Sequence, residues 1–255
     1  MSEKIIDLGN GFWNIRGDLR LGGVLNVGTQ GSLVQRGSGE FVMLDSYPLS
    51  GEIRDQVMAL TDQGRAVTAV LNLHPYHTLH CKAVARDFPQ ARLYGTERHR
   101  AQHPDLEWQP TLIDTPEAAA IFASDLVLTV PRGIDHTTEN ERVHAGSVLA
   151  WHPASASLHV DDTLNILPVP GPLKRVFGKD KLIMHPTMPK ALTADPDCIR
   201  ELTAWIDELA EACAGLRNLC AAHNGIREFR AGEFAPALRD AFQRSLPGLQ
   251  KAMQP

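Results

Sequence analysis

The sequence predicts an α+β fold, and three observations support this. Short β-prone runs separated by glycine-rich turns fill most of residues 5–44, a strand–helix–strand unit covers 40–72, and two amphipathic helices flank a strand in 195–246. The β-prone runs of the first segment are 5–8, 12–16, 23–27, 32–36 and 40–44. The turn at 37–40, GSGE, is its clearest hairpin signal.

Three helices carry the clearest periodicity. Ser50 is a capping residue for a first helix that presents Ile53 and Val57 on one face and ends at Gly64. The longest helix is predicted over 195–215, where apolar residues recur with helical spacing. A final helix is predicted over 233–246.

The middle of the chain alternates between strands, short helices and loops. A Pro-rich stretch follows it, from Pro168 to Pro189, and is predicted to be a packed irregular loop. The predicted elements are a buried strand at 67–72, a helix at 81–88, a strand at 91–94, a loop at 96–115, a helix opened by Pro116, a strand at 125–130, a hairpin of 147–151 with 157–161, and a strand at 217–222.

Composition excludes several functional classes. The chain has 255 residues, 43% of them hydrophobic, with 25 basic and 30 acidic residues and a formal net charge of −5. We therefore expect a single domain over 1–255 that acts on a small molecule and binds neither nucleic acid nor membrane. The four scattered cysteines and the lack of an N-terminal signal segment predict a cytoplasmic protein with reduced thiols.

A cluster of histidines follows the buried strand at 67–72. The sequence VTAVLNLHPYHTLH ends with His74, His77 and His80. Imidazole is a common metal-binding side chain and is largely neutral near pH 7. In open α/β sheets, ligands also bind at the carboxyl ends of the strands, which is where these histidines lie. The cluster therefore indicates a metal site.

Later motifs give the chain a resemblance to a known family. The segments VHAGSVLAWHPASASLHVDDTL and AAHNG, together with the order of strands and histidines, resemble the metallo-β-lactamase superfamily. The resemblance covers about residues 14–246 and implies an αββα sandwich with the active site at one edge. It also implies His144, Asp162 and His223 as metal ligands.

The first histidine motif departs from the family pattern. Aligned on the helix that follows, LNLHPYH stands against the family's HxHxDH, so that Asn72 and Tyr76 replace a histidine and the aspartate. His74 and His77 then keep their places as ligands, and a shifted register would use His80 instead. The chain thus resembles a divergent branch of unknown function.

The resemblance implies two sets of ligands that share Asp162. One set joins it to His74 and His144, and the other joins it to His77 and His223. Because Asn72 and Tyr76 are poor ligands, we expect one divalent ion, zinc or iron, rather than two; a fold that has lost its metal is the alternative.

A metal-dependent hydrolase is the function that this site predicts. Asp162 would hold the metal, which activates the attacking water, and His80 or His136 would accept the proton in place of the missing aspartate. The substrate would be an ester, thioester or lactone. A metal-free binding module on the same fold and a non-haem iron redox enzyme are the two alternatives.

The remaining polar candidates have structural interpretations. Asp45 is expected to hold loop amides, and Cys81 is expected to be an idle thiol. Solvent-facing or packing roles are expected for the other histidines, which are His99, His103, His152, His159 and His185.

Overall fold

Two β-sheets pack face to face, and helices cover both outer faces. The computed structural model describes residues 4–18, 20–21, 25–26, 28–169, 180–223 and 225–254. The predicted α+β fold and αββα sandwich are confirmed.

The first sheet uses the N-terminal third of the chain. Its six strands lie in the order β1-β2-β5-β6-β7-β8, and β6 and β7 are parallel. A separate small hairpin is formed by β3 and β4. The strands are β1 (Lys4–Asp7), β2 (Phe12–Gly17), β3 (Arg20–Leu21), β4 (Leu25–Asn26), β5 (Thr29–Gln35), β6 (Phe41–Leu44), β7 (Val67–Leu71) and β8 (Arg92–Tyr94).

The second sheet uses the C-terminal half. Its five strands lie in the order β15-β14-β11-β10-β9, with β11 and β14 parallel, while β12 and β13 form a hairpin of their own. The strands are β9 (Val127–Thr129), β10 (Leu149–His152), β11 (Ser157–Val160), β12 (Leu164–Leu167), β13 (Lys181–Met184), β14 (Asn218–Ala221) and β15 (Gly225–Glu228).

Apolar faces decide where the helices pack. Buried Ile53 and Val57 of the first helix pack on the outer face of the first sheet, and buried Trp205 and Phe242 of the last two helices pack on the second. Between the sheets, residues such as Phe12 contribute to a third apolar layer. The helices are α1 (Gly51–Leu60), α2 (Cys81–Asp87), α3 (Glu97–Gln102), α4 (Pro116–Phe122), α5 (Cys198–Ala212) and α6 (Phe234–Ala252). In the described part of the chain, every helix is too short or too polar to cross a lipid bilayer.

A buried polar cluster also links the two sheets. Arg16 on β2 is 2% exposed, and its Nη1 donates hydrogen bonds to the carbonyl of Ala221 (2.6 Å) and to Gln30 Oε1 (2.9 Å). Gln30 Nε2 on β5 donates to the carbonyls of Val160 (2.9 Å) and Cys220 (3.1 Å). These bonds satisfy carbonyls at the ends of β11 and β14, so the sheets are held together at the edge where the histidines collect.

Two predicted loops contain regular structure. The predicted loop at 96–115 contains α3, because Thr96 and His99 form a capping box in which histidine takes the place of glutamate or glutamine. The predicted Pro-rich loop contains β13, whose backbone pairs with β12. Residues 170–179 of that loop, like residues 23, 24 and 27 of a predicted strand, lie outside the described residues.

The last helix is longer than predicted. Helix α6 continues through Pro247 to Ala252, whereas the prediction ended it at Leu246. Proline removes one helical hydrogen bond and disfavours the turn before it. Leu249 lies beyond Pro247 and is fully buried in the core beneath α6, so burial of this side chain offsets the cost of the proline.

Hydrogen bonds of Asp125 link the β5–β6 turn to the segment before β9. Its two oxygens accept hydrogen bonds from Arg36 Nε (2.8 Å) and from the backbone N–H of Gly37 (2.9 Å). Burial opposes ionisation of the carboxyl, but hydrogen bonds from Ser124, Gly37 and Arg36 outweigh it and lower the pKa of Asp125 to about 2.

We predict that Asp125→Asn lowers the free energy of unfolding by about 1–2 kcal/mol at pH 7. Because the folded-state pKa is depressed, this contribution is present above the unfolded pKa near ~3.9 and disappears as the pH falls toward 2. Urea denaturation at pH 7 and pH 3 measures it. Asp62→Asn, which breaks an exposed ion pair with Arg65, is the control; equal losses in both variants would contradict the prediction.

Candidate metal centre

The carboxyl ends of four strands meet at one edge of the sandwich. Strands β6 and β7 of the first sheet end just before Asp45 and the loop with His74, and strands β11 and β14 of the second end just before Asp161 and His223. Each sheet thus contributes one parallel pair of strands. Polar side chains that are far apart in sequence converge there for this reason.

Asp162 is the centre of this cluster. Its Oδ2 lies 3.3 Å from His74 Nε2, 3.6 Å from His77 Nε2 and 3.7 Å from His144 Nε2. Its Oδ1 lies 3.2 Å from His223 Nε2. The structure therefore brings together all five residues that the sequence predicted as metal ligands, although their role as ligands stays a prediction.

The environment of Asp162 suits a cation. The residue is 1% exposed, and its Oδ1 accepts no hydrogen bond of normal geometry from any residue that the structure describes. Burial would raise its pKa, but the neighbouring imidazoles of His223, His77 and His74 outweigh burial and hold the pKa well below its usual range. A buried, ionised carboxylate with an unused oxygen is a favourable position for a positive ion.

Backbone carbonyls orient two of the imidazoles toward Asp162. His144 Nδ1 donates to the carbonyl of Glu141 (3.2 Å), and His223 Nδ1 donates to the carbonyl of Gly28 (3.1 Å). A neutral ring with its proton on Nδ1 carries a lone pair on Nε2, which in both rings faces Asp162. This is the outer-partner arrangement that metal-binding histidines use.

His74 has the opposite arrangement. Its Nδ1 accepts the backbone N–H of Tyr76 (3.1 Å), so the proton lies on Nε2, which donates to the carbonyl of His144 (3.2 Å). Burial, reinforced by the charge of His77, lowers the pKa of His74 to about 3, so the ring is neutral. As oriented here, His74 is a hydrogen-bond donor beside the carboxylate.

His77 lies between two carboxylates. Its ring stacks on that of His74 with centroids 4.1 Å apart, and its Nδ1 lies 3.7 Å from Asp161 Oδ1. Burial opposes protonation of the ring, but the hydrogen bond and charge of Asp162 prevail and raise the pKa of His77.

Ligand atoms fall into groups that differ from the implied pairing. His74, His77 and Asp162 have potential ligand atoms within 4.8 Å of one another, and so do His144, Asp162 and His185. The resemblance instead paired His74 with His144 and His77 with His223. From the sequence, His185 was expected only to pack or to face solvent. It directly follows β13, and a histidine after a strand could have indicated a site residue, but this segment was predicted to be a loop.

The two residues that replace family ligands are engaged elsewhere. Asn72 Oδ1 accepts from Ser46 Oγ (2.6 Å), and its Nδ2 donates to the carbonyl of Tyr94 (3.1 Å). The Tyr76 hydroxyl donates to the carbonyl of Thr138 (2.9 Å), and Arg98 lies over the Tyr76 ring. Both side chains are thus engaged in other hydrogen bonds, and the expectation of one ion rather than two stays a prediction.

Beneath Asp162, a buried chain of polar groups joins the sheets. Ser32 Oγ is hydrogen-bonded to His159 Nδ1 (2.9 Å), and His159 Nε2 is hydrogen-bonded to Asp45 Oδ2 (2.8 Å). Asp45 Oδ1 accepts the backbone N–H of Leu73 (2.8 Å), which confirms its predicted structural role. His159 was expected to face solvent or pack passively, but it is fully buried and bonded on both ring nitrogens.

A cavity of about 210 Å³ opens beside this cluster. His77, His80 and His223 line it together with Tyr76 and Asp161. Leu79 on its rim is 74% exposed. The cavity is therefore placed to bring a small ligand to the Asp162 cluster.

The two predicted proton acceptors have different positions. His80 lines the cavity, and burial, followed by the charge of His77, lowers its pKa, which keeps the ring neutral near pH 7. His136 is absent from the described lining of the cavity; its Nε2 donates to the carbonyl of Pro131 (3.1 Å) and its ring packs against Gly146. The geometry therefore favours His80 over His136.

Cys81, next to His80, is buried. Its Sγ lies 3.5 Å from Asn72 Oδ1, and burial raises the pKa of the thiol to about 11. The thiol is therefore protonated near pH 7, in agreement with the idle role expected from the sequence.

Comparison with known proteins shows the fold. No protein-family model and no curated protein matches the chain. Among solved structures, the metallo-β-lactamase FIM-1 from Pseudomonas aeruginosa in its mono-zinc form is 14% identical, with a TM-score of 0.61, and the match covers 100% of this chain and 98% of that one. A metallo-β-lactamase from Erythrobacter litoralis is 17% identical (TM-score 0.58; 98% and 96% covered), and one from Hirschia baltica is 14% identical (0.59; 94% and 96%). The resemblance inferred from the sequence is confirmed at the level of the fold.

Proposed function

We propose that this protein of metallo-β-lactamase fold binds one divalent metal ion at Asp162 and hydrolyses a small ester, thioester or lactone. The observation that carries the proposal is the buried Asp162 carboxylate, which has an unused oxygen and imidazole nitrogens within 3.2–3.7 Å. The residues that would hold the ion come from Asp162 and the imidazoles around it, His74, His77, His144 and His223; His74 would do so only by giving up the Nε2 proton that now bonds the carbonyl of His144.

The chemistry divides between the ion and the chain. A bound divalent ion would lower the pKa of water to about 7 and so supply the nucleophile. His80 is neutral and lines the cavity, and it accepts a proton from the reacting water. It thereby replaces the family's aspartate, whose position holds Tyr76 in this chain. Asp162 holds negative charge beneath the reacting centre.

Cavity size supports a small substrate. At about 210 Å³ it is smaller than the roughly 300–1,000 Å³ of drug-sized ligand sites, so it suits one acyl group or one small ring. Exposed Leu79 at the rim offers an apolar contact to such a group. We infer that the substrate is a small molecule rather than a polymer.

Zinc is the metal that we propose first. The donors are imidazole nitrogen and carboxylate oxygen, which suit both zinc and iron(II). The mono-zinc form of FIM-1 shows that a protein of the same fold can hold a single zinc ion. A single ion also agrees with the engagement of Asn72 and Tyr76 in other hydrogen bonds.

The cellular setting remains part of this proposal. All four cysteines are free and buried, which is typical of proteins in a reducing cytoplasm. The net charge of −5 argues against nucleic acid as a partner. We therefore propose a cytoplasmic enzyme whose partner is its small substrate.

Metal analysis and a substrate screen test the proposal together. Protein purified without chelators is expected to contain about one equivalent of zinc or iron and to hydrolyse some members of a panel of aryl esters, thioesters and lactones. Dialysis against a chelator should remove both the metal and the hydrolysis, and added zinc should restore them.

Other outcomes point to the alternatives. Protein that neither contains nor takes up metal would overturn the proposal and favour a metal-free binding module. Bound iron with oxygen consumption, but without hydrolysis of the panel, would favour the redox enzyme.

A further inference from the structure

His185 lies in the cluster without an assigned role. It follows β13 directly, and its ring centroid is 5.1 Å from that of His144. Potential ligand atoms of His144, Asp162 and His185 all lie within 4.8 Å of one another. The backbone N–H of His185 donates to the carbonyl of Thr163 (3.3 Å), which ties the residue to the turn that contains Asp162.

An independent observation points to a ligand at this place. The carboxylate shared by the three residues is 1% exposed. Its Oδ2 lies 3.7 Å from His144 Nε2, too far for a hydrogen bond, and its Oδ1, which faces His223 Nε2 at 3.2 Å, receives no hydrogen bond of normal geometry within the described ranges. A buried polar atom left without a partner is costly unless water or an ion satisfies it.

Hydrogen bonds at Nδ1 separate His185 from His74. His185 Nδ1 lies 2.8 Å from Thr187 Oγ1, a hydroxyl that can either donate or accept, and it also accepts a longer hydrogen bond from the Thr187 backbone N–H (3.3 Å). A proton on Nδ1 keeps the shorter contact and gives up the longer one. With its proton on Nδ1, the ring donates to that hydroxyl and offers the Nε2 lone pair to a metal. His74 Nδ1 faces only a backbone N–H in the described structure, which cannot accept, so its Nε2 keeps the proton.

The number of ligands gives the same answer. Two family ligand positions hold Asn72 and Tyr76, whose polar atoms are bonded to Ser46, Tyr94 and Thr138. Of the family set His74, His144 and Asp162, His74 keeps a proton on Nε2, so a replacement donor is needed to reach the three protein ligands typical of catalytic zinc. His185 supplies one on the side of Asp162 where His144 already lies.

We propose that His185 is a metal ligand and that, with His144 and Asp162, it holds the single ion. This inference rests on the proposed function, since it assigns the ligands of the same ion. It shifts the ion toward the loop that follows β13 and away from His74.

Zinc affinity of matched variants tests this assignment. His185→Asn keeps an amide near the place of Nδ1, where it can bond Thr187, and removes Nε2. His152→Asn is the control, because His152 Nδ1 makes the same kind of bond to Ser155 Oγ (2.8 Å) at the far end of β10. Competition with a chromogenic zinc chelator gives the dissociation constants.

We expect His185→Asn to weaken zinc binding by about 100-fold or more and Thr187→Val, which removes an outer partner, by about 10-fold. His152→Asn should bind zinc like the wild type. X-ray absorption of the zinc-loaded proteins should count one imidazole fewer in His185→Asn than in the wild type. Near-ultraviolet circular dichroism checks that the variants are folded.

Two results would overturn the assignment. Wild-type affinity and an unchanged imidazole count in His185→Asn would remove His185 from the site and leave the proposed function intact. A wild-type protein that binds no zinc or iron would overturn both proposals. If His185→Asn does not fold, Thr187→Val and the imidazole count of the wild type test the assignment instead. If His185 is not a ligand, Thr187→Val should leave zinc affinity unchanged.

Discussion

Asp162→Asn removes metal binding: we expect the dissociation constant for zinc to rise by at least about 1,000-fold, beyond the roughly 10–100-fold that an outer partner contributes. Asp162 is the group that all the clustered imidazoles share, at 3.2–3.7 Å. Asparagine keeps the shape of the side chain but loses its charge, so the effect reports the electrostatic role. Elemental analysis and chelator competition measure it, and hydrolysis should be lost in parallel.

The neighbouring aspartate provides a matched control. Asp161 is equally buried, and burial, followed by the charge of Asp45, raises its pKa well above the usual range. Asparagine resembles the protonated form of this carboxyl in shape and charge. Asp161→Asn should therefore keep zinc affinity within about 10-fold of the wild type, less than most outer partners contribute. Equal losses in both variants, or undiminished binding in Asp162→Asn, would contradict the central role of Asp162.

Asp45→Ala is expected to lower the free energy of unfolding by about 3–5 kcal/mol, because it breaks a buried pair by removing one partner. Asp45 is 3% exposed, and it bonds both His159 of the second sheet and the backbone of Leu73 in the first. The substitution removes the partner of His159 Nε2 and of the Leu73 amide in the interior, while His159 Nδ1 keeps its bond to Ser32. Urea denaturation with far-ultraviolet circular dichroism measures the change.

A double-mutant cycle with His159→Ala shows whether the pair itself is responsible. We expect a coupling of at least about 1 kcal/mol between the two substitutions, as found for residues in contact. Burial opposes ionisation of Asp45, but the hydrogen bond and charge of His159 lower its pKa. This contribution to stability is therefore present above the unfolded value near ~3.9 and is lost as the pH falls below it. Additive effects would show that Asp45 acts through Leu73 alone.

Much of the architecture was predictable because it depends on local patterns. Hydrophobic periodicity identified α1 and α5, and the strand ends before Asp45 and His74 marked the edge where polar groups collect. The helix α3 was missed because its cap uses His99 in place of the usual acidic or amide residue. Strand β13 was missed because it is a short β-prone run with prolines before and after it in the sequence.

The sequence indicated which residues form the site but not how their side chains are oriented. Motif order indicated His144, Asp162 and His223, yet the sequence contains no information on which nitrogen of each ring faces the carboxylate. That orientation depends on backbone groups brought close by folding, such as the carbonyl of Gly28 at His223. His185 and His159 were underestimated for the same reason, since their partners lie on other elements of the fold.

The order in which the chain can assemble follows from the bond between Arg16 and Ala221, two residues that are 205 positions apart. The strands of the first sheet all lie within residues 4–94, so that layer can form from contiguous chain during synthesis. The inward guanidinium of Arg16 finds its carbonyl acceptors, at Ala221 and Ala222, only after β14 has emerged. Contacts of such long range slow folding, so the newly made N-terminal layer depends longest on protection from aggregation.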